Sequence, residues 1–312
     1  MLFAGIDGGQ SSTIAVVIDA SGAVLGRGTA GPSDHVDEDA ESPRAARACE
    51  TALAAALAAA GARADVPLEA AVIGVSGYEG EWHGATPAIH APIVRYVNDA
   101  PIALAGAISS RPAAIVIGGT GSVAFAESAT GRTYRVGGYG FLFGDDGSAF
   151  AIARTALASA MRACDRGVTT DLAEAALAFF DMVDLRAFAR AVSLKHIKRP
   201  EVAAFARVVF DAARLGDPEA RSIVEQAAAA LGSLAGLAVQ HVDPGESTAV
   251  PVALIGGSFE NAEFRAAVER HLGGVAPHAR AVTAQAEPAV GAALLACEAA
   301  GHERPLALHA PE

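Results

Sequence analysis

The sequence of 312 residues has few cysteines, few aromatic residues and a deficit of basic residues. Its cysteines, Cys49, Cys164 and Cys297, form no CxxC pair, so neither a zinc knuckle nor a disulfide framework is indicated. No HExxH spacing occurs among the histidines. Lys and Arg number 23 against 35 Asp and Glu, a formal net charge of -12. This acidic balance argues against nucleic acid and anionic membranes as partners and favours a small molecule.

Long apolar runs are also missing. No uninterrupted apolar segment reaches membrane-spanning length, and the N-terminus lacks the basic region and cleavage site of a signal peptide. We therefore expect a cytoplasmic protein. Ala-rich stretches such as TALAAALAAAGA supply much of the 52% hydrophobic content and favour helices. The length predicts two domains, or one large α/β unit.

The opening stretch IDGGQSST interrupts two apolar runs, Leu2 to Ile6 and Ile14 to Ile18. One interpretation is a simple hairpin turn, in which glycine is favoured because it reaches positive φ without steric cost. The other is a phosphate loop, because backbone N–H groups can approach phosphate oxygens closely where no Cβ intervenes. The stretch alone is compatible with both.

A second copy of this pattern begins at residue 111. The segment PAAIVIGGTGSVAFAESATGRTYRVGGYG repeats the order of strand, glycine turn with hydroxyls, strand, Gly turn and strand that opens the chain. It predicts two homologous halves, an N-terminal lobe over residues 1–110 and a C-terminal lobe over 111–312, with a hinge near Ser110. Two such turns, one in each half, could bind a polyphosphate from two sides. The repeat therefore favours the phosphate-loop interpretation.

Two other phosphate motifs fit less well. The pattern GxxxxGK[ST] of a P-loop is absent. Gly119, Gly121 and Ala124 satisfy GxGxxA, but a dinucleotide-binding fingerprint must open a helix. The following SVAFAES alternates like a strand, so we interpret this match as accidental.

The ordered motifs DGG, NDA, GTGS, GGYGFLFGDDGSAF and GGS resemble those of the BadF/BadG/BcrA/BcrD-type ATPases, and among them the N-acetylglucosamine kinase group. The resemblance extends over essentially the whole chain. It implies an α/β fold of two ribonuclease-H-like lobes around a nucleotide and sugar cleft, as in the sugar kinase, actin and Hsp70 group. In such folds the final helix often returns to the first lobe.

The resemblance implies ATP and Mg²⁺ as cofactors. Asp7 resembles the carboxylate that holds Mg²⁺ through water, which suits a metal that keeps several waters. The residues implied in nucleotide binding are Gly8, Gly9, Gln10, Ser11, Ser12 and Thr13 in the first phosphate loop, Thr120, Gly121 and Ser122 in the second, and Gly256, Gly257 and Ser258 in the adenosine motif.

Asp99 matches the catalytic base of the family, and the implied reaction is phosphorylation of an amino sugar, N-acetylglucosamine or glucosamine, with O6 as the expected acceptor. An alternative for Asp99 is the N-cap of the helix PIALAGAI. The resemblance further implies that the sugar pocket is lined by Asp34, Ser76, Gly77, Asn98, Gly138, Tyr139 and Asp145.

The chain departs from the family at Asp34, where related kinases tend to have Asn. A carboxylate there, with Glu79 nearby, suits the ammonium group of free glucosamine better than an acetamido group. Both acids equally fit solvated loop residues, and Asp146 fits the start of the following helix.

Two other functions are compatible with the same fold. The first is an ATPase activator of a 2-hydroxyacyl-CoA dehydratase or benzoyl-CoA reductase, but no cysteine lies beside the GTGS loop to hold an iron–sulfur cluster. The second is a non-catalytic sugar sensor, which the acidic charge disfavours. A homodimer is expected only by analogy with the family.

Overall fold

The computed structural model describes residues 1–33, 39, 41–243 and 249–304. The predicted Asp34 therefore lies outside the described residues. The strands, in chain order, are β1 (Leu2–Gly8), β2 (Thr13–Asp19), β3 (Val24–Ala30), β4 (Ala70–Val75), β5 (Val94–Asn98), β6 (Ala113–Gly118), β7 (Ser122–Glu127), β8 (Thr133–Gly137), β9 (Val250–Ile255) and β10 (Ala279–Val282).

The helices, in chain order, are α1 (Arg44–Ala59), α2 (Asp99–Ala107), α3 (Ala149–Asp165), α4 (Asp171–Phe180), α5 (Leu185–Ser193), α6 (Arg199–Ala204), α7 (Ala206–Leu215), α8 (Pro218–Val242), α9 (Ala262–Val275) and α10 (Pro288–Ala299), with a short 3₁₀ helix at Gly257–Glu260. One helix follows β3 and one follows β5, α3 to α8 follow β8 in succession, and α9 and α10 follow β9 and β10.

The chain divides into two compact α/β units, each built on a five-stranded mixed sheet. The first unit comprises residues 1–111 and the segment from Thr283 onward, and the second comprises residues 112–282. The first sheet has the order β3-β2-β1-β4-β5 and the second β10-β9-β6-β7-β8. In each sheet the first three strands of the unit pair antiparallel and the remaining two add in parallel.

The two sheets therefore share one topology, and the predicted internal repeat is confirmed. β6, β7 and β8 occupy the places of β1, β2 and β3, while β9 and β10 occupy those of β4 and β5. The strand β7 that follows GTGS also confirms that the dinucleotide-binding match is accidental, because no helix begins there.

Helices cover both faces of the first sheet. On one face α1 packs through Cys49, Ala52 and Ala56 against inward residues of β1, β2 and β4. On the other face lie α2 and α10, which share a buried apolar cluster with Phe3 and Val16. Burial on both faces explains why β1 and β4 read as nearly continuous apolar runs.

Glycines set how closely α10 packs in the first unit. A Cβ at Gly5 of β1 would collide with the backbone of Ala289 and Ala293, and a Cβ at Gly291 would collide with the backbone of α2. These contacts place the start of α10, with Glu287 as its N-cap residue, against the end of α2. The final helix thereby packs on the face of the sheet that carries Asp7.

The core of the second unit is organised around α8. In the described part of the chain, α8 is the one helix long and apolar enough, by length and composition, to cross a membrane. Half of its apolar 18-residue stretch is buried inside the protein. Its Ala228, Leu231 and Ala235 are fully buried in the cluster that also contains residues of β6, β7 and β9. We interpret α8 as a core helix.

Candidate functional site

The carboxyl ends of three parallel strands meet at one edge of the first sheet. Gly8 of β1 is paired with Val75 of β4, and Val75 is paired with Asn98 of β5. The polar residues that follow these positions along the chain are therefore neighbours, as ligand-binding residues commonly are at this edge of an α/β sheet. They include the first glycine turn, Ser76 and Asp99.

The first glycine turn connects β1 with β2. Gly9 N–H donates to the carbonyl of Ser12 at 3.0 Å, and the carbonyl of Gly9 accepts from Ser33 N–H at 3.1 Å. Within the described residues, the backbone N–H groups of Gln10, Ser11 and Ser12 have no hydrogen-bond acceptor. The turn therefore presents backbone donors to solvent, as a phosphate loop requires.

Positive φ does not explain the glycines of this turn. The φ angles of Gly8 and Gly9 both lie outside the positive, left-handed region, so the expectation that a hairpin turn forces positive φ here is wrong. A Cβ on Gly8 would collide with Oγ of Ser33, whereas a Cβ on Gly9 would meet its nearest atom, the Ser12 carbonyl oxygen, at 3.5 Å. The fold thus requires glycine at position 8 but not at position 9.

Thr13 stabilises the same turn through hydrogen bonds of its side chain. Its hydroxyl donates to the carbonyl of Gly31 at 2.7 Å and lies 2.8 Å from Oγ of Ser33, whose hydroxyl can donate to it, and its side chain is fully buried. Ser33, which the sequence analysis did not single out, therefore ties the turn to the end of β3. The role of Thr13 as a nucleotide contact stays a prediction.

Asp99 is oriented by a short hydrogen bond. Ser76 Oγ donates to Asp99 Oδ2 at 2.6 Å, and Ser76 N–H donates to the Gly8 carbonyl at 3.0 Å. Ser76 thereby connects the candidate base with the strand that carries Asp7. The Asp99 carboxylate is held at this edge without being buried in the core.

Asn98, and not Asp99, caps α2. The side chain of Asn98 accepts from Ala100 N–H at 3.2 Å and its amide nitrogen donates to the carbonyl of Tyr78. The N-cap alternative for Asp99 is therefore wrong. Because Asn98 takes the capping role, the Asp99 carboxylate is available for another partner.

Asp7 lies in a concentration of negative charge. Burial, the charge of Asp99 and the charge of Glu287, in that order, raise the pKa of Asp7 from 3.8 to about 6. Arg27 donates from Nε and Nη2 to the carboxylate of Glu287 at 3.0 and 3.1 Å. Glu287 and Arg27 were missed by the sequence analysis, because only the docking of α10 brings Glu287 near Asp7 and Arg27.

The donor set around Asp7 fits Mg²⁺ better than a metal held by several side chains. No cluster of three or more His, Cys, Asp or Glu suited to a metal occurs among the described residues. A single carboxylate beside free backbone donors fits an ion that keeps its waters and binds phosphate oxygens.

The second glycine turn, between β6 and β7, repeats the arrangement. Gly119 N–H donates to the Gly121 carbonyl at 3.0 Å, and the Gly119 carbonyl accepts from Ala149 N–H at the start of α3. The backbone N–H groups of Thr120 and Gly121 have no acceptor within the described residues. Ser122 is committed to the fold, since its N–H donates to Asp145 and its hydroxyl to the Asp146 carbonyl.

A cavity of about 370 Å³ opens beside this turn in the second unit. It lies among the second glycine turn, the 3₁₀ helix after β9, and helices α6 and α7. Ser258 Oγ is buried at this cavity and has no hydrogen-bond partner among the described residues. The residues that matter for its chemistry are Gly119, Thr120, Arg207, Gly257, Ser258 and Glu260.

The two glycines of the adenosine motif differ in what the fold requires. Gly256 has φ 114° and a Cβ there would press on the carbonyl of Gly118, so only glycine fits. Gly257 has no positive φ and open space where a Cβ would lie. An uncommitted buried hydroxyl beside an open glycine fits a nucleoside that lies on backbone.

The residues predicted to bind sugar fall into two groups. Ser76, Gly77 and Asn98 belong to the first unit, and Gly138, Tyr139 and Asp145 belong to the second. Tyr139 is 76% exposed, whereas Asp145 is 6% exposed and lies next to Arg199, which the sequence analysis did not find. Their contact with a sugar stays a prediction.

Comparison with known sequences identifies one family. The sequence model of the BadF/BadG/BcrA/BcrD ATPase family matches residues 4–296. The N-acetylmuramic acid/N-acetylglucosamine kinase of Clostridium acetobutylicum is 34% identical over 169 residues, 54% of this chain and 55% of that protein. This match thus spans about half the length of that relative. The N-acetyl-D-glucosamine kinase of Dictyostelium discoideum is 26% identical over 320 residues, 95% of this chain and 97% of that protein.

The crystal structure of a protein from Chromobacterium violaceum, provisionally assigned as an N-acetylglucosamine kinase, has a similar fold. It is 28% identical, and the comparison has a TM-score of 0.73 and covers 94% of this chain and 98% of that chain. The two units therefore have the sugar kinase and actin-like fold.

The raised pKa of Asp7 predicts that Asp7→Asn stabilises the ligand-free protein above pH 6. Because the pKa of Asp7 is about 6 in the folded protein against an ordinary 3.8, the folded form retains a proton that the unfolded chain releases between these values. The penalty for charging Asp7 grows across this window and is complete above it. The expected gain in the free energy of unfolding is up to about 3 kcal/mol at neutral pH and disappears near pH 4.

Thermal unfolding of both proteins in EDTA, from pH 4 to pH 8, measures this difference. Glu69→Gln, which removes an exposed carboxylate of the same unit, is the matched control and should change little. A lower melting temperature of Asp7→Asn at every pH would contradict the electrostatic account.

Proposed function

The chain belongs to the BadF/BadG/BcrA/BcrD ATPase family, and we propose that it is an ATP-dependent kinase that phosphorylates an amino sugar. N-acetylglucosamine and glucosamine are the proposed substrates, with O6 as the proposed acceptor. Two relatives named as kinases of N-acetylated amino sugars support this class of substrate.

The observation that carries the proposal is the arrangement of Asp99. The Asp99 carboxylate lies at the carboxyl edge of the sheet and accepts a hydrogen bond from Ser76. Asn98 caps α2, so Asp99 does not have to. It neighbours the turn that carries unpaired backbone donors. A base and a phosphate-binding loop at one edge are what transfer of a phosphoryl group to a hydroxyl needs.

In the proposed reaction Asp99 accepts the proton of the sugar hydroxyl as its oxygen attacks the γ-phosphorus of ATP. The bond between the γ-phosphorus and the bridging oxygen breaks, and ADP leaves with the electron pair. Ser76 holds the carboxylate so that an oxygen faces the acceptor. This general-base contribution is typically about 10² to 10⁴ in rate.

Backbone donors of the two glycine turns bind the phosphates in this proposal. The N–H groups of Gln10, Ser11 and Ser12 in the first unit and of Thr120 and Gly121 in the second, which have no acceptor among the described residues, are the proposed donors. The adenosine moiety occupies the cavity of about 370 Å³, where the Ser258 hydroxyl gains a partner. Asp7 would hold Mg²⁺, which, when bound, neutralises charge on the phosphates.

An assay of ADP release over a panel of sugars tests this function. We expect Mg²⁺-dependent ADP release with glucosamine or N-acetylglucosamine, and a much lower kcat/KM with glucose and mannose, which lack the nitrogen substituent. N-acetylmuramate completes the panel because one relative is named for it. Absence of sugar-dependent ADP release with every amino sugar would overturn the proposed function.

Replacing the candidate base gives a second expectation. Asp99→Asn should lower kcat by about 10² to 10⁴ and leave the Kd of MgADP nearly unchanged, because the base contacts the acceptor and not the nucleotide. Asp65→Asn, at an exposed residue of the same unit paired with Arg63, is the control for the chemical change. A kcat of Asp99→Asn near that of the parent would remove Asp99 from the mechanism.

A further inference from the structure

Arg199 is the first residue of α6 and bonds to two separate parts of the second unit. Its Nη2 donates to Asp145 Oδ2 at 2.7 Å and to the carbonyl of Thr120 at 3.3 Å. The first partner belongs to the segment that precedes α3, and the second lies at the tip of the second glycine turn. One guanidinium group thus joins the turn to Asp145.

Asp145 carries the connection further around the turn. Its Oδ1 accepts from Ser122 N–H at 3.0 Å, so the pair holds the turn at Thr120 and again at Ser122. A Cβ at Gly121 would lie 2.9 Å from Asp145 Oδ2 and 3.1 Å from Arg199 Nη2. The turn therefore rests directly on the ion pair.

Two aromatic rings flank the guanidinium group. Its Cζ lies 5.1 Å from the ring centroid of Phe141 and 5.5 Å from that of Phe150. The Arg199 Nε is buried and has no acceptor among the described residues. These rings limit the orientations of the guanidinium group.

The cost of this arrangement indicates more than a stability role. Asp145 has a left-handed backbone with φ 61° and its side chain is 7% exposed. The uncommon backbone conformation and the burial of the Asp145 carboxylate both cost free energy, and the Arg199 side chain stays 33% exposed, so solvent weakens the attraction between the two charges. What the pair supplies is a fixed geometry for the turn.

We propose that Arg199 is a positioning residue, which acts through Asp145 and the Thr120 carbonyl to hold the second glycine turn in the conformation that binds phosphate. The inference rests on the proposed nucleotide-binding role of that turn. Because α6 also contributes Pro200, Ala203 and Ala204 to the nucleotide cavity, Arg199 links the wall of the cavity to the phosphate loop.

A double-mutant cycle tests the proposal with MgADP as the probe, so that no sugar is needed. Arg199→Gln and Asp145→Asn should each raise the Kd of MgADP by about tenfold, and the double variant by no more than about twofold beyond the weaker-binding single variant. Arg190→Gln, at an exposed arginine of the same unit, is the matched control and should bind as the parent does. Arg199→Lys should bind better than Arg199→Gln but worse than the parent, and it replaces Arg199→Gln in the cycle if that variant does not fold.

Hydrogen exchange of the ligand-free proteins provides the second readout. Arg199→Gln should raise exchange in residues 118–125 and 139–148, while α8 and β9 stay protected. Increased exchange throughout the second unit, additive losses in the cycle, or an unchanged MgADP Kd would each overturn the positioning role. These measurements decide the role of Arg199 even if the protein phosphorylates none of the sugars tested.

Discussion

A backbone N–H group can bind a phosphate oxygen closely only where no side chain intervenes, and the candidate site depends on this constraint. Gly9, Gly119 and Gly257 each combine a φ outside the left-handed region with space for a Cβ. The fold itself tolerates a side chain at these positions. By contrast, Gly256 is required by its positive φ and its contact with Gly118. The proposed phosphate-binding role supplies a reason for glycine at positions 9, 119 and 257 that the fold does not supply.

The repeated topology gives each unit its own glycine turn. In each unit the first antiparallel pair supplies a glycine turn at the carboxyl edge of the parallel strands. The first unit adds carboxylates at this edge, those of Asp7 and Asp99. The second adds a cavity with an uncommitted hydroxyl and the Arg199–Asp145 pair. In the proposed function, the metal and base roles fall to the first unit and the adenosine role to the second.

The sequence predicted the sheets well because their signals are local. The apolar runs Leu2 to Ile6 and Ile14 to Ile18 lie within β1 and β2, and the repeated pattern from residue 111 corresponds to β6, β7 and β8. The order of motifs along the chain was sufficient for the family. The proximity of Ser76 and Asp99 follows from strand order as well, because each residue comes directly after the carboxyl end of one of two adjacent parallel strands.

What the sequence could not predict depends on contacts between distant segments. Arg199 meets Asp145 across 54 positions and Arg27 meets Glu287 across 260, and no periodicity encodes either pair. The choice of Asn98 over Asp99 as the cap of α2 depends on the competing partner Ser76. The hydrogen bond from Ser33 N–H to the Gly9 carbonyl also joins positions 24 residues apart, which no local pattern predicts.

Binding of MgADP to Gly9→Val, together with its melting temperature, tests the central claim most directly. Valine fits this position without positive φ, so the account predicts a melting temperature near that of the parent and a Kd for MgADP raised at least about tenfold, because the side chain covers the backbone donors. Gly273→Val, at a glycine that also has open space and an ordinary φ, should bind as the parent does. A folded Gly9→Val protein that binds MgADP with the affinity of the parent would contradict the assignment of the first glycine turn as a phosphate loop.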